Sequence, residues 1–176
     1  MKGDLEVVEN NFDKYINKIK TESIKNNLIK AINDLPEYFY NISASSTNKY
    51  HPKFSLGEGG LFRHTTFACD IALELFNIIP FSQFQKDVIL SALILHDGRK
   101  MGNTQIKHTL KNHDDFQADY LQKFWEEDFE GKNIIIECIR THAGQWSTTK
   151  KPKTKLEKFV HTCDYLASRK IIDKYI

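Results

Sequence analysis

Along the chain, Leu5, Val8, Phe12, Ile16 and Ile19 recur at steps of three and four, which lines them along one face of a helix with Asp4 placed as its N-cap. Ile24, Leu28, Ile32 and Leu35 repeat the spacing up to Pro36, so the two segments predict a helical hairpin. From 41 to 60 the period is lost and Ser, Asn, Pro52, Gly57, Gly59 and Gly60 collect. This is a long loop, and loops of that length are commonly functional. The helical period returns over Leu61 to Ile79, Ser82 to His96, about Ile106 to Trp125, Asn133 to His142, and Thr154 to about Lys174, with Pro80, Gly98, Gly102, Gly131, Gly144 and Pro152 in or beside the gaps. Ser82 with Gln85, and Thr154 with Glu157, have the spacing of capping boxes. Ile134-Ile135-Ile136 also suits a buried strand, but the segment continues to His142 in helix-tolerant residues. With no convincing period-two stretch and no internal repeat, the fold class is all-α.

A chain of 176 residues is one domain, and at this length folding buries about 70% of the unfolded surface. Residues 1–56 form the hairpin and loop, packed on a helical core of residues 57–176. Hydrophobic residues at 40% and charged residues at 27% exclude disordered and fibrous classes. A net charge of +2 is too weak for whole-molecule attraction to duplex nucleic acid. Cys69, Cys138 and Cys163 have no Cys-x-x-Cys spacing and sit among apolar neighbours, as buried thiols do in a reducing compartment, so the expected location is cytoplasmic. No run approaches the roughly 18 apolar residues that span a bilayer, and no export signal follows Met1. Asn41-Ile42-Ser43 has the glycosylation pattern, which means little without secretion.

The chemistry lies in the seven histidines, at 51, 64, 96, 108, 113, 142 and 161. His96 and Asp97 end a strongly apolar helix just before Gly98, so an imidazole and a carboxylate emerge together from a rigid element. His64 lies in the first turn of the helix opened by Gly59-Gly60-Leu61-Phe62, while His161 and Asp164, three apart, share a face of the last helix. Imidazole nitrogens and carboxylate oxygens converging from separate helices suit a divalent ion, Mn or Fe(II) foremost, with Ni, Co, Mg or Zn also accommodated. Any one of these histidines alone is more often a core or surface residue than a ligand. The ordered series His64, His96-Asp97, His113, His142, Asp164 is what points to a metal.

That series resembles the HD-domain family of metal-dependent phosphohydrolases. Gly59-Gly60-Leu61-Phe62-Arg63-His64-Thr65 looks like the family's first ligand segment. Ala92 to Gly102 is similar to its hallmark, an apolar helix ending in His-Asp with Lys three residues after the Asp, and Leu156 to Ser168 looks like the segment carrying the last Asp. The resemblance covers about residues 57 to 170 and implies that His64, His96, Asp97 and Asp164 hold the principal metal and that Lys100 faces the substrate phosphate. Members with two metals add histidines that His113 and His142 resemble, with Asp97 bridging, so one or two ions are implied. The chain departs from the pattern at Thr141-His142, where many dinuclear members carry consecutive histidines, and at Gly98-Arg99, which replaces an apolar residue and a glycine.

The implied reaction is hydrolysis of a phosphoester by a metal-activated water, with Lys100, joined by Arg99 or Arg63, stabilising the developing charge. Lys150, Lys151, Lys153, Lys155 and Lys158 form a basic run after Trp146, suited to holding nucleotide or single-strand phosphates while the indole stacks on a base. A solvated lysine loop and a packed Trp are the bland alternative. The expected partner is thus a nucleotide or single-stranded nucleic acid, and no membrane. Two other readings are a non-catalytic regulatory module binding a nucleotide in the same pocket, and a nucleic-acid-binding protein using the lysines. The hairpin's apolar face suits either the core or a homodimer interface.

Overall fold

A computed structural model describes residues 12–174. Among the described residues seven α-helices run in the order α1 (Asp13–Ile16), α2 (Glu22–Asn33), α3 (Gly60–Leu75), α4 (Gln83–Leu95), α5 (His113–Phe124), α6 (Lys132–Thr141) and α7 (Lys155–Ala167), with 3-10 turns at Glu37–Tyr40, Lys53–Ser55, Gly144–Trp146 and Lys170–Lys174. No strand occurs among the described residues. Leu5, Val8 and the Asp4 cap lie outside them.

The centre of the bundle is α4. Its residues from Asp87 to Leu95 are all buried, as a helix apolar on every side requires, and α2, α3, α6 and α7 pack around it. One continuous core runs from Phe12 and Leu28 through Leu93 to Val160 and Ala167. The buried carboxylate of Asp87 accepts from the backbone N–H of Lys20 (3.1 Å) and Thr21 (2.7 Å) and from Gln83 Nε2 (2.7 Å). It thereby ties the start of α2 to α4 and places negative charge where the α2 dipole favours it. Cys69, Cys138 and Cys163 are buried free thiols.

Several boundaries differ from the periodic pattern, each for a local reason. Ser82 makes the full capping box with Gln85. At α7, Thr154 Oγ1 accepts from Glu157 N (3.2 Å), but the Glu157 carboxylate turns to Lys153 N (2.7 Å), one residue earlier than a box requires. The helix expected from about Ile106 begins at His113. Before it, Leu110 N donates to Lys100 O (3.0 Å) and Thr109 N faces Ser46 Oγ (3.5 Å), so the backbone is spent on tertiary partners. The last helix stops at Ala167, where Ser168 Oγ (2.8 Å) and Arg169 Nε (3.2 Å) both donate to Tyr165 O and displace the helical partner. Ile134, Ile135 and Ile136 are helical, in α6. Of the described residues in the hairpin's first arm, Asp13–Ile16 are α-helical.

The turn after His96-Asp97 is held by the N-terminal segment. Arg99 Nη2 donates to Asp34 O (2.7 Å) and Oδ2 (2.6 Å), and its guanidinium lies 3.4 Å from the centre of the Tyr120 ring. Tyr120 donates to the same Asp34 oxygen (2.7 Å). Tyr38 donates to Gly102 O (2.6 Å) and accepts from Met101 N (3.2 Å). A Cβ at Gly98 would fall 2.6 Å from Gln117 Nε2 and 2.7 Å from Leu35 Cδ2. An apolar side chain there has no room, because Gln117 fills the space and caps Leu95 O (2.9 Å). The Gly98-Arg99 departure is therefore a packing exchange with Gln117, Leu35 and Asp34.

Arg99→Ala should cost about 2 kcal/mol, since it removes a cation–π contact and leaves Asp34 without its cation. A fall of about 4–8 °C in thermal midpoint follows, with metal content per folded chain unchanged, as read by calorimetry alongside metal analysis.

Candidate metal centre

Helix ends create the site. The last carbonyls of a helix lack intrahelical donors, and His96 and His142 are the first residues past α4 and α6. Each turns its Nδ1 to the carbonyl three residues back, His96 to Leu93 O and His142 to Ile139 O, both at 2.6 Å. His113, at the start of α5, does the same with Leu110 O (3.0 Å). A carbonyl only accepts, so each Nδ1 carries the proton and each neutral ring presents a bare Nε2.

Those nitrogens point at two carboxylates. His96 Nε2 lies 3.6 Å from Asp97 Oδ2 and 3.5 Å from Asp164 Oδ1. Asp97 Oδ1 faces His113 Nε2 (3.2 Å) and His142 Nε2 (3.5 Å), which are themselves 3.2 Å apart. His64, on α3, sets Nε2 2.9 Å from Asp164 Oδ1 on α7. The donors form overlapping groups, His64 with His96 and Asp97, His96 with His142 and Asp164, and Asp97 with His113 and His142, each with its atoms within 4.8 Å of one another. All six residues singled out as ligands from sequence are thus brought together, and Asp97 stands between the two sets.

The set fits a divalent cation. His96 Nε2 and Asp97 Oδ1 are buried and meet no hydrogen-bond partner among the described residues. Lone pairs facing one another in a dry interior are costly unless a positive charge lies among them. Nitrogen and oxygen donors without thiolate suit octahedral first-row ions or Mg.

Charge is balanced in part by the chain itself. Burial pushes the Asp97 carboxyl up, but Lys100, then His96, overcome this and hold it well below the usual range. For Asp164 burial is likewise outweighed, by His64 and His96. Burial pulls His96 down, whereas Asp97 and Asp164 carry it to about 8. In His142 burial prevails, with His96 and His113 adding to it, and its pKa is lowered.

The predicted phosphate-binding cations are placed differently. Lys100 is buried with its Nζ 2.6 Å from Asp97 Oδ2, so it serves that carboxylate first. Arg99 is committed to Asp34 and Tyr120, as above. Arg63 donates Nε to Phe54 O (2.5 Å), Nη1 to Glu58 O (2.8 Å) and Nη2 to Leu56 O (2.9 Å). It clasps the 41–59 loop, spending three of its five N–H donors on loop carbonyls. In the basic run, Lys150 pairs with Glu137 (2.9 Å), Lys151 donates to Gln145 O (2.8 Å) and Ser147 O (2.6 Å), and Lys155 to Pro80 O (2.9 Å). His161 does not join the donors; its Nδ1 donates to His142 O (2.7 Å).

The clasped loop delivers a residue absent from the predicted site. The His51 ring stands edge-on to His64, centroids 4.9 Å apart, with Nδ1 buried and unpartnered. Burial, reinforced by Lys100 and His64, lowers its pKa to about 3, so it is neutral at physiological pH. A lone histidine in a loop of Ser, Asn and Gly carries no periodic signal. The only hint was the length of that loop.

A buried helical centre of imidazoles and carboxylates defines a class of metal-binding α-helical proteins. The sequence profile of the HD domain matches residues 61–169, and the chain belongs to the HD-domain family, a superfamily of metal-dependent phosphohydrolases. No curated protein and no solved structure matches it. No helix among the described residues is long and apolar enough to cross a membrane.

His96 keeps its proton up to about pH 8, and a cation has to displace it. Metal affinity should therefore fall by about tenfold per unit as pH drops below 8 through this group alone. Competition against a chromophoric chelator between about pH 6 and about pH 8 reads this, and a flat profile would contradict it.

Proposed function

We propose that this protein is a metal-dependent phosphohydrolase of nucleotides or of nucleic-acid phosphoesters. The observation that carries the reading is the convergence of His64, His96, Asp97, His113, His142 and Asp164 on one buried locus, with atoms orphaned unless a cation joins them. His64, His96, Asp97 and Asp164 would hold one ion, and Asp97 with His113 and His142 would hold a second. Divalent ions bound there lower the pKa of water and neutralise phosphoryl oxygens as charge builds on them.

The chain's own residues supply the rest. The Leu93, Leu110 and Ile139 carbonyls hold each Nδ1 and so turn each Nε2 toward the locus. Lys100 offsets the Asp97 charge and adds a cation at the edge of the locus, available to a phosphoryl oxygen. His51, neutral and at the rim beside His64, can donate a hydrogen bond to a phosphoryl or leaving-group oxygen without adding charge. A reading as a nucleic-acid protein acting through the lysine run loses support, because Lys150, Lys151 and Lys155 are already engaged.

Nucleotides, cyclic nucleotides and single-stranded oligonucleotides assayed with Mn²⁺ should include a substrate, and Asp97→Ala should reduce its turnover by on the order of a thousandfold or more. Equal turnover in both proteins refutes the reading. Saturable nucleotide binding without product would mark a regulatory module instead. His51→Ala should lower kcat by about a hundredfold with metal stoichiometry unchanged. Loss of metal in that variant would make His51 a ligand rather than a substrate contact.

A further inference from the structure

Trp146 is 56% exposed, whereas the other tryptophan, Trp125, is 4% exposed and donates Nε1 to Asn27 O (3.2 Å). An indole left half in water forfeits much of the free energy its burial would return, yet this one is held firmly in place. It stacks on Tyr165 with centroids 5.8 Å apart and an interplanar angle of 14°. The turn that carries it is tied from two sides. Lys151 Nζ spans the Gln145 and Ser147 carbonyls, while His161 donates to His142 O and meets the Gln145 side chain at 3.2 Å. Gly144, at φ 57°, lets the turn close against that imidazole, since a Cβ would fall 2.1 Å from His161 Cε1.

A cation completes the surface. The Arg169 guanidinium lies 4.2 Å from the Tyr165 ring centre and 5.5 Å from that of Trp146. It donates only to neutral oxygens, Tyr165 O and Ser168 Oγ, and makes no ion pair with a carboxylate among the described residues. Stacked aromatic faces beside an unpaired guanidinium match a flat, electron-rich heteroaromatic ring that is joined to an anion.

The location says which ring. Tyr165 follows Asp164 directly, and Trp146 lies four residues beyond His142, on the short turn Gly144–Trp146, a stretch of chain that reaches at most about 14 Å. A ligand with a phosphate at the metal centre and one sugar between thus brings its base to the indole. We propose that Trp146, Tyr165 and Arg169 form a nucleobase-binding shelf that makes the protein select nucleotides over other phosphoesters. The phosphate end of this ligand rests on the function proposed above; the base contact does not.

Two experiments separate the claims. With metal chelated, saturation-transfer NMR using adenosine, which carries no phosphate, should show transfer to the adenine protons with wild type and Trp146→Phe, and loss with Trp146→Ala. The variant loses the half-exposed stack on Tyr165, so its thermal midpoint should fall by only about 1–6 °C, and calorimetry checks that it remains folded. With Mn²⁺ added, Trp146→Ala should raise KM for a nucleoside monophosphate by about 10- to 100-fold and leave KM for ribose 5-phosphate unchanged. Absence of transfer in wild type, or equal transfer in Trp146→Ala, overturns the shelf. So does an equal KM change for both substrates. If adenosine binds at Trp146 but no phosphoester is cleaved, the shelf stands and the hydrolase reading fails. If nucleotides are cleaved indifferently to Trp146, the reverse holds.

Discussion

Three imidazoles in a dry interior each give their Nδ1 proton to a carbonyl three residues back, and the chemistry of the centre follows from the bare Nε2 this leaves. Were those rings in the other tautomer, His113 and His142 would donate to Asp97 and the carboxylate would be satisfied without help. Instead, acceptors face acceptors at 3.2–3.5 Å, an arrangement with little to recommend it except as a cradle for positive charge. Two of the bracing carbonyls belong to helix C-termini, so the same unsatisfied groups that end α4 and α6 prepare the site they point into.

Such a cluster persists only if the backbone around it cannot relax. The buried helix α4 supplies rigidity at His96 and Asp97. Beyond it, Tyr38, Asp34 and Gln117 hold the following turn from three directions. The N-terminal segment is therefore part of the site's support although it lies outside the residues that match the family. Arg63 performs a similar service on the other side, where one guanidinium gathers three loop carbonyls and sets His51 against His64.

What was legible in the sequence was what local pattern encodes. Helices α3, α4, α6 and α7 follow from apolar period and from breakers, and the ligand residues stand at the helix ends those breakers mark. Illegible was whatever depends on partners distant in the chain. The late start of α5 reflects bonds to Lys100 and Ser46. Arg99 reads as a phosphate ligand until Asp34 is seen beneath it, and the acceptors of Lys150, Lys151 and Lys155 within the basic run are likewise set by the fold. His51 sits in a segment without periodicity, whose path is fixed by contacts such as the Arg63 clasp and the bond from Lys53 N to Asp173. Cationic side chains are long enough to reach many acceptors, so their use is the least predictable feature of a sequence.

The most direct measurement is anomalous scattering from crystals grown with Mn²⁺. The account predicts one peak bounded by His64, His96, Asp97 and Asp164 and a second bounded by Asp97, His113 and His142. Crystals that diffract well and show no peak at this locus, or show Mn²⁺ bound only elsewhere on the molecule, would contradict it.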